Sequence, residues 1–104
     1  MKENILFGKI FAFSVRVVNA YKHLVKKRNE FVLSKQFLRR GPSVGANAEE
    51  AAGVQSRNDF VSKLSIAYKE ARETKYWIRL LHATGFLDED ESNSLLRDTE
   101  DSCD

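Results

Sequence analysis

"RRGPSVGANAEEA", residues Arg39 to Ala51, decides the fold. It holds two glycines and the chain's only proline, which on composition alone reads as a loop. Yet Gly41, Gly45, Ala48 and Ala52 recur at steps of four, three and four, a helical spacing filled only by small residues. A wider register agrees. Leu33, Phe37, Arg40, Val44, Asn47, Ala51 and Val54 also step by four and three, straight through Gly41 and Pro42. A chain reversal at the proline would break that register. A proline inside a helix costs about 3 kcal/mol and each glycine nearly ~1 kcal/mol, so a helix survives here only where close packing returns the energy. The stretch therefore reads as one helix from about Phe31 to Val54, kinked near Pro42, with a small edge that a neighbouring backbone approaches. The alternative is two short helices split at "RGPS".

The flanking segments share the rhythm. Phe7, Ile10, Ser14, Val17, Tyr21 and Leu24 alternate steps of three and four, flanked by Phe11, Val18 and Val25, and predict a helix from about Glu3 to Arg28. The cations of "KKRNE" (Lys26 to Glu30) suit its C-terminus, and Asn29 suits a turn. Phe60, Leu64, Ala67, Ala71, Thr74, Ile78, Leu81 and Gly85 predict a third helix, started by a capping-box-like "SRND" (Ser56 to Asp59) and stopped by Gly85. Asp88 caps a short fourth helix reaching about Arg97, with Leu95 and Leu96 packing back. Residues 1–97 thus form the bundle domain, and 98–104 ("DTEDSCD" without its frame) an acidic frayed tail. Four helices on short connections predict an all-α, antiparallel up-and-down four-helix bundle, three helices long and the fourth short. A second stripe on the third helix, Ile66, Trp77 and Leu80 with Tyr76 beside it, either covers the first helix, receives the fourth, or joins a second copy. Self-association is favoured, because a thin bundle of 104 residues does not easily bury two stripes per helix.

Composition narrows the function. A hydrophobic share of 42% and a charged share of 31% fit a globular domain. Lys9 and Arg16 interrupt the N-terminal apolar run, which excludes a membrane span and leaves no convincing signal peptide, so a cytoplasmic setting is expected. Cys103 is the single cysteine, with no internal partner, and reads as an exposed bystander. The net charge of +2 hides a division. Residues 1–85 carry sixteen Lys/Arg against seven Asp/Glu, a balance of +9, while residues 86–104 carry one Arg and eight acids, a balance of −7. A basic body attracts phosphates or acidic protein surfaces, and an acidic tail shields it; a merely solvated surface is the plain alternative.

The runs "LSKQFLRRGPSVGANAEEA" and "SRNDFVSKLSIAYKEARETKYWIRLL" resemble the four-helix-bundle proteins related to the 23S ribosomal RNA intervening-sequence protein. The resemblance covers about Phe31 to Phe86. It includes Ser34, Gln36 and Arg39, then Ser43, Asn47 and Glu50, then Phe60, "KLSIA", "KEARET" and the Tyr76–Trp77 pair. It implies an all-α bundle assembled as a homopentamer around a central channel. The chain is also similar to the accessory variability determinant proteins of diversity-generating retroelements, which implies a basic pentamer that binds nucleic acid and a reverse transcriptase.

Candidate residues follow from charge and register. Lys22, Lys26, Lys27 and Arg28 at one bundle end, with Lys35, Arg39 and Arg40 on the second helix, are the expected phosphate contacts for RNA or DNA, neutralising charge without reading sequence. Gly41 and Gly45 mark the small edge. Asn47, Glu50 and Arg72, with Arg40, are expected to form a buried or interfacial polar network that fixes register and partner, and Tyr76 and Trp77 an interface. Catalysis is not expected. Glu49, Glu50, Glu70 and Glu73 form the densest carboxylate group, but neither His23 nor His82 stands three residues after a glutamate, as di-metal bundles require. No phosphate-binding glycine loop, CxxC pair or serine elbow is present, so neither metal nor other cofactor is expected. The rival reading is a protein-interaction scaffold, offering its grooves to a reverse transcriptase or another mobile-element protein.

Overall fold

The computed structural model describes residues 2–103, with side chains described for residues 5–102. Among these residues the structure is all-α: α1 (Lys2–Arg28), α2 (Leu33–Gly53), α3 (Arg57–Ala83) and α4 (Glu89–Cys103). α2 packs on α1 and α3, and α4 packs on α3 and α1, within an envelope of 44 × 24 × 19 Å.

α2 runs through Pro42 without interruption. The small edge explains why this helix forms at all. A Cβ added at Gly41 would lie 2.7 Å from Val17 Cγ1, and one at Gly45 would lie 3.0 Å from Ile10 Cγ2 and 3.2 Å from Ser14 Oγ. The neighbour that comes close is therefore α1 of the same chain. Gly41, Gly45 and Ala48 are buried, and Val17, Ile10 and Ser14 of α1 fill the space that larger side chains at the two glycines would need. Ser43, beside the proline, turns its hydroxyl back onto Arg39 O at 2.9 Å.

Each helix end has a local cause. Asn29 takes the left-handed conformation (φ 54°) that its short polar side chain tolerates, and the Glu30 amide closes onto Leu24 O at 3.0 Å. The Ser56 side chain accepts from the Asp59 amide at 3.1 Å and caps α3. At the other end Gly85 (φ 86°) permits a Schellman close, with Phe86 N donating to Leu81 O at 2.9 Å and Gly85 N to His82 O at 3.0 Å. Asp88 Oδ1 accepts from the Glu91 amide at 2.7 Å and caps α4.

α4 corrects the expected boundary. It continues past Arg97 to Cys103, so the segment read as a frayed tail is the second half of a packed helix. Ser92, Leu95, Thr99 and Ser102 are buried at steps of three and four, and the Thr99 and Ser102 hydroxyls bond back to Leu95 O at 2.7 Å and Asp98 O at 2.9 Å. The apolar seam thus continues in hydroxyl residues, which satisfy their polar atoms on their own helix. Ion pairs from Arg16 to Asp98 (2.6 Å) and from Lys75 to Glu100 (3.3 Å) hold the same half against α1 and α3. The Cys103 thiol and Asp104 lie outside the described residues.

The core has two parts. Phe13, Val17, Leu24, Phe37, Ile78, Leu81, Leu87 and Leu95 form the larger, covered at its margin by Trp77, Phe86 and Leu96. Ile10, Val44, Ala48 and Ala71 form the smaller, with Leu6 and Phe7 against it. Beyond Ala67 toward the start of α3 the seam loses its cover: Leu64 is 40% exposed and Phe60 42%.

Candidate nucleic-acid interface

Lys22 and Lys26 stand one turn apart on α1, as Lys35 and Arg39 do on α2, and the connection 29–32 brings the two pairs to one end of the molecule. With Lys27 they are exposed, and none makes an ion pair with the described residues. A solvated cation with no internal partner is what a phosphate oxygen requires.

Two of the expected cations do not belong to this set. Arg28 donates from Nη2 to Gly85 O at 2.7 Å and from Nη1 to Phe86 O at 3.3 Å, with its guanidinium 5.7 Å from the Phe86 ring centroid. It ties the end of α1 to the α3–α4 turn by meeting two carbonyls of that turn. Arg40 is held between two carboxylates. Its Nη1 lies 3.1 Å from Glu70 Oε1 and 3.3 Å from Oε2, and its Nε lies 2.9 Å from Glu73 Oε2, at an angle short of a hydrogen bond. Glu70 is 9% exposed, and a carboxylate so placed between packed helices needs a cation.

The polar network therefore exists with a different membership. Arg40, Glu70 and Glu73 form it, clamping α2 to α3. Glu50 is exposed and pairs with Lys63 Nζ at 3.2 Å. Asn47 Nδ2 bonds within α2 to Ser43 O at 2.8 Å. Arg72 is exposed, with its guanidinium 6.0 Å from the Tyr68 ring centroid. Glu70 and Glu73, three residues apart on α3, take Arg40 between them. Among the described residues no group of three His, Cys, Asp or Glu is placed to hold a metal ion, and no described helix is long and apolar enough to cross a membrane.

Of the aromatic pair, Trp77 covers the larger core cluster and meets Tyr76 edge-on at 5.3 Å between centroids, while Tyr76 faces solvent. Register also held a feature unused above. Phe60, Leu64 and Tyr68, four apart, form one wall of an open groove of about 520 Å³. Leu6, Phe7 and Ile10 of α1, Val44 and Ala48 of α2 and Ser102 of α4 also line it. The spacing was visible, but only the packed helices show that none of the described residues crosses it.

The family model described as 23S rRNA-intervening sequence protein matches residues 2–103. Among solved structures, the chain is similar to a protein with unknown function from the S23 ribosomal protein family of Bacteroides thetaiotaomicron. The two are 48% identical, with a TM-score of 0.96, and the match covers 99% of this chain and 92% of that one. No curated protein matches.

Proposed function

The chain belongs to the 23S rRNA-intervening sequence protein family, and from that premise we propose that it is a non-enzymatic, self-associating bundle that binds nucleic acid through phosphates without reading sequence. The observation that carries the nucleic-acid part is the set of five exposed cations, Lys22, Lys26, Lys27, Lys35 and Arg39, which make no ion pair with the described residues and gather at one end. Of the carboxylates that would otherwise compete as catalytic groups, Glu70 and Glu73 pair with Arg40 and Glu50 pairs with Lys63. In a mobility-shift titration with RNA and duplex DNA, binding is expected at low salt and is expected to weaken steeply as salt rises, because phosphate contacts release counterions. No shift at low salt would remove the reading.

In the assembled form proposed here, the helices alternate in direction around one axis and five copies close into a ring in the cytoplasm. The uncovered groove supports self-association: an apolar surface of this kind is stable in water when another surface covers it. Light scattering is expected to give a mass several times 11.9 kDa; a monomer at micromolar concentration would contradict it. The same groove favours a second reading, an accessory scaffold for another protein such as a reverse transcriptase. That reading keeps the homo-oligomer and predicts that it captures the partner protein in a pull-down even where it shifts neither RNA nor duplex DNA at low salt.

A further inference from the structure

The outward face of α3 carries a surface that the charge-based reading above does not use. Buried Ala67, Glu70, Ala71, Thr74, Ile78 and Leu81 define the packed side of this helix. On the opposite side, Tyr68, Lys69, Arg72, Tyr76 and Arg79 follow one another at helical spacing and line a shallow concavity of about 610 Å³ with Glu73 and Lys75. The charges of this strip are one-sided. Glu73 shares Arg40 with Glu70, and Lys75 pairs with Glu100. Lys69, Arg72 and Arg79 make no ion pair with the described residues. The two tyrosines are 57% and 55% exposed; Tyr68 borders the apolar groove and carries Arg72 over its ring, and Tyr76 meets Trp77 edge-on. Tyr68 and Tyr76 stand eight positions apart, about 12 Å along the helix.

We propose that this strip is a single-strand nucleic-acid track, in which Tyr68 and Tyr76 stack on bases while Lys69, Arg72 and Arg79 hold the intervening phosphates. The assignment rests on the nucleic-acid reading above and adds a base-contacting site to it. Cations alone suit duplex and single strand alike. Exposed rings change that, because a π-face is useful only to a base already out of its stack. Interleaving aromatic and basic side chains along one line matches the alternation of base and phosphate along a strand. Arg72, already over the Tyr68 ring, keeps that ring's face oriented beside a cation. No side chain here reaches in a fixed fork toward base edges, so the track tolerates any sequence.

The chain's single tryptophan supplies a direct readout, because Trp77 meets the Tyr76 ring edge-on at 5.3 Å. The full-length protein is titrated with oligo(dT) and with a duplex of equal length at low salt, following tryptophan emission and fluorescence anisotropy. Oligo(dT) is expected to bind more tightly than the duplex and to change Trp77 emission. Tyr76→Ala is expected to weaken oligo(dT) binding roughly 5- to 150-fold, the worth of one base–aromatic stack, while Tyr76→Phe keeps it. Circular dichroism confirms that both variants stay helical, and Arg72→Ala with Arg79→Ala provides a second test that leaves the rings in place. If wild type binds but neither the tyrosine nor the arginine variants weaken it, the track is wrong. In that case Lys22→Glu with Lys26→Glu, by abolishing binding, would show that the phosphate reading stands without it. If wild type binds neither probe, both fall together.

Discussion

Glu30 does the work of a helix cap from outside the helix it caps. Val32, at the N-cap of α2, supplies no side-chain bond. Glu30 Oε1 instead accepts from the Val32 amide at 3.1 Å and the Leu33 amide at 2.8 Å, and Oε2 from the Ser34 amide at 2.6 Å. Burial alone would raise its pKa, but the amides of Leu33, Ser34 and Val32 and the Ser34 hydroxyl stabilise the charged form and hold it below the usual 4.5. Glu30→Ala strips three amides of their acceptor and is expected to lower stability by about 1–3 kcal/mol in urea unfolding. Because the folded pKa is depressed, the ionised group's contribution is complete above the unfolded value and is lost as pH falls through the folded one. Acid titration of Glu30→Gln should therefore show a flatter loss of stability below about pH 4.5 than wild type; parallel curves would assign the acid sensitivity elsewhere. Gly41 makes an independent case. Gly41→Ala gains helix propensity of nearly ~1 kcal/mol but drives a methyl into Val17, for an overpacking cost of about 1–3 kcal/mol. The double variant with Val17→Ala should cost less than the two single changes summed; strict additivity would mean that the two helices do not meet there.

At the scale of elements, what was legible followed from which residue types carried the register. α2 was readable through Pro42 because Phe37, Val44 and Ala51 keep their spacing on both sides of it, and all three are buried. The stops at Asn29 and Gly85 and the caps at Ser56 and Asp88 were readable because each needs a particular residue at one position. α4 was read too short because its inner face changes from leucine to Thr99 and Ser102, which look like tail residues until packing shows their hydroxyls bonded to their own helix. Among the candidate site residues, Lys22, Lys26, Lys27, Lys35 and Arg39 are exposed as expected, since long charged side chains rarely go elsewhere. Arg28 and Arg40 were misplaced for a reason that no spacing encodes: their partners lie 57 and 30 residues away. The Arg40 clamp predicts its own test. Arg40→Ala leaves buried Glu70 without its cation, and because the arginine is itself about one-third exposed, the expected loss is discounted to about 1–3 kcal/mol. Glu70→Gln in the same background should recover part of it. A clamp that merely decorated the surface would show neither effect in thermal melts.

The whole molecule is electrically divided, and the division has a direction. The basic body is built from α1, α2 and α3, whereas the first turn of α4 carries Glu89, Asp90 and Glu91. Arg28 binds Gly85 O and Phe86 O immediately before that turn, so the acids sit at the same end as Lys22, Lys26 and Lys27. Negative charge within about 8–10 Å of those lysines opposes an incoming phosphate, and the opposition is screened as salt rises. Deleting the helix is a poor probe of this effect, because Leu95 belongs to the core and Leu96 packs against it, so their loss would open it. Neutralising the exposed acids keeps the fold. Glu89→Gln, Asp90→Asn and Glu91→Gln, with the Asp88 cap retained, should cost about 0.3–1 kcal/mol each in helix-dipole stabilisation. The same triple variant should bind RNA several-fold more tightly at low ionic strength, with the gain shrinking toward physiological salt. The slope of log affinity against log salt, which counts phosphates neutralised, should change little, since no cation is added. An unchanged low-salt affinity would place the docked strand away from this end, on the α3 face alone. A steeper slope would mean that a lysine formerly screened by α4 has joined the contact.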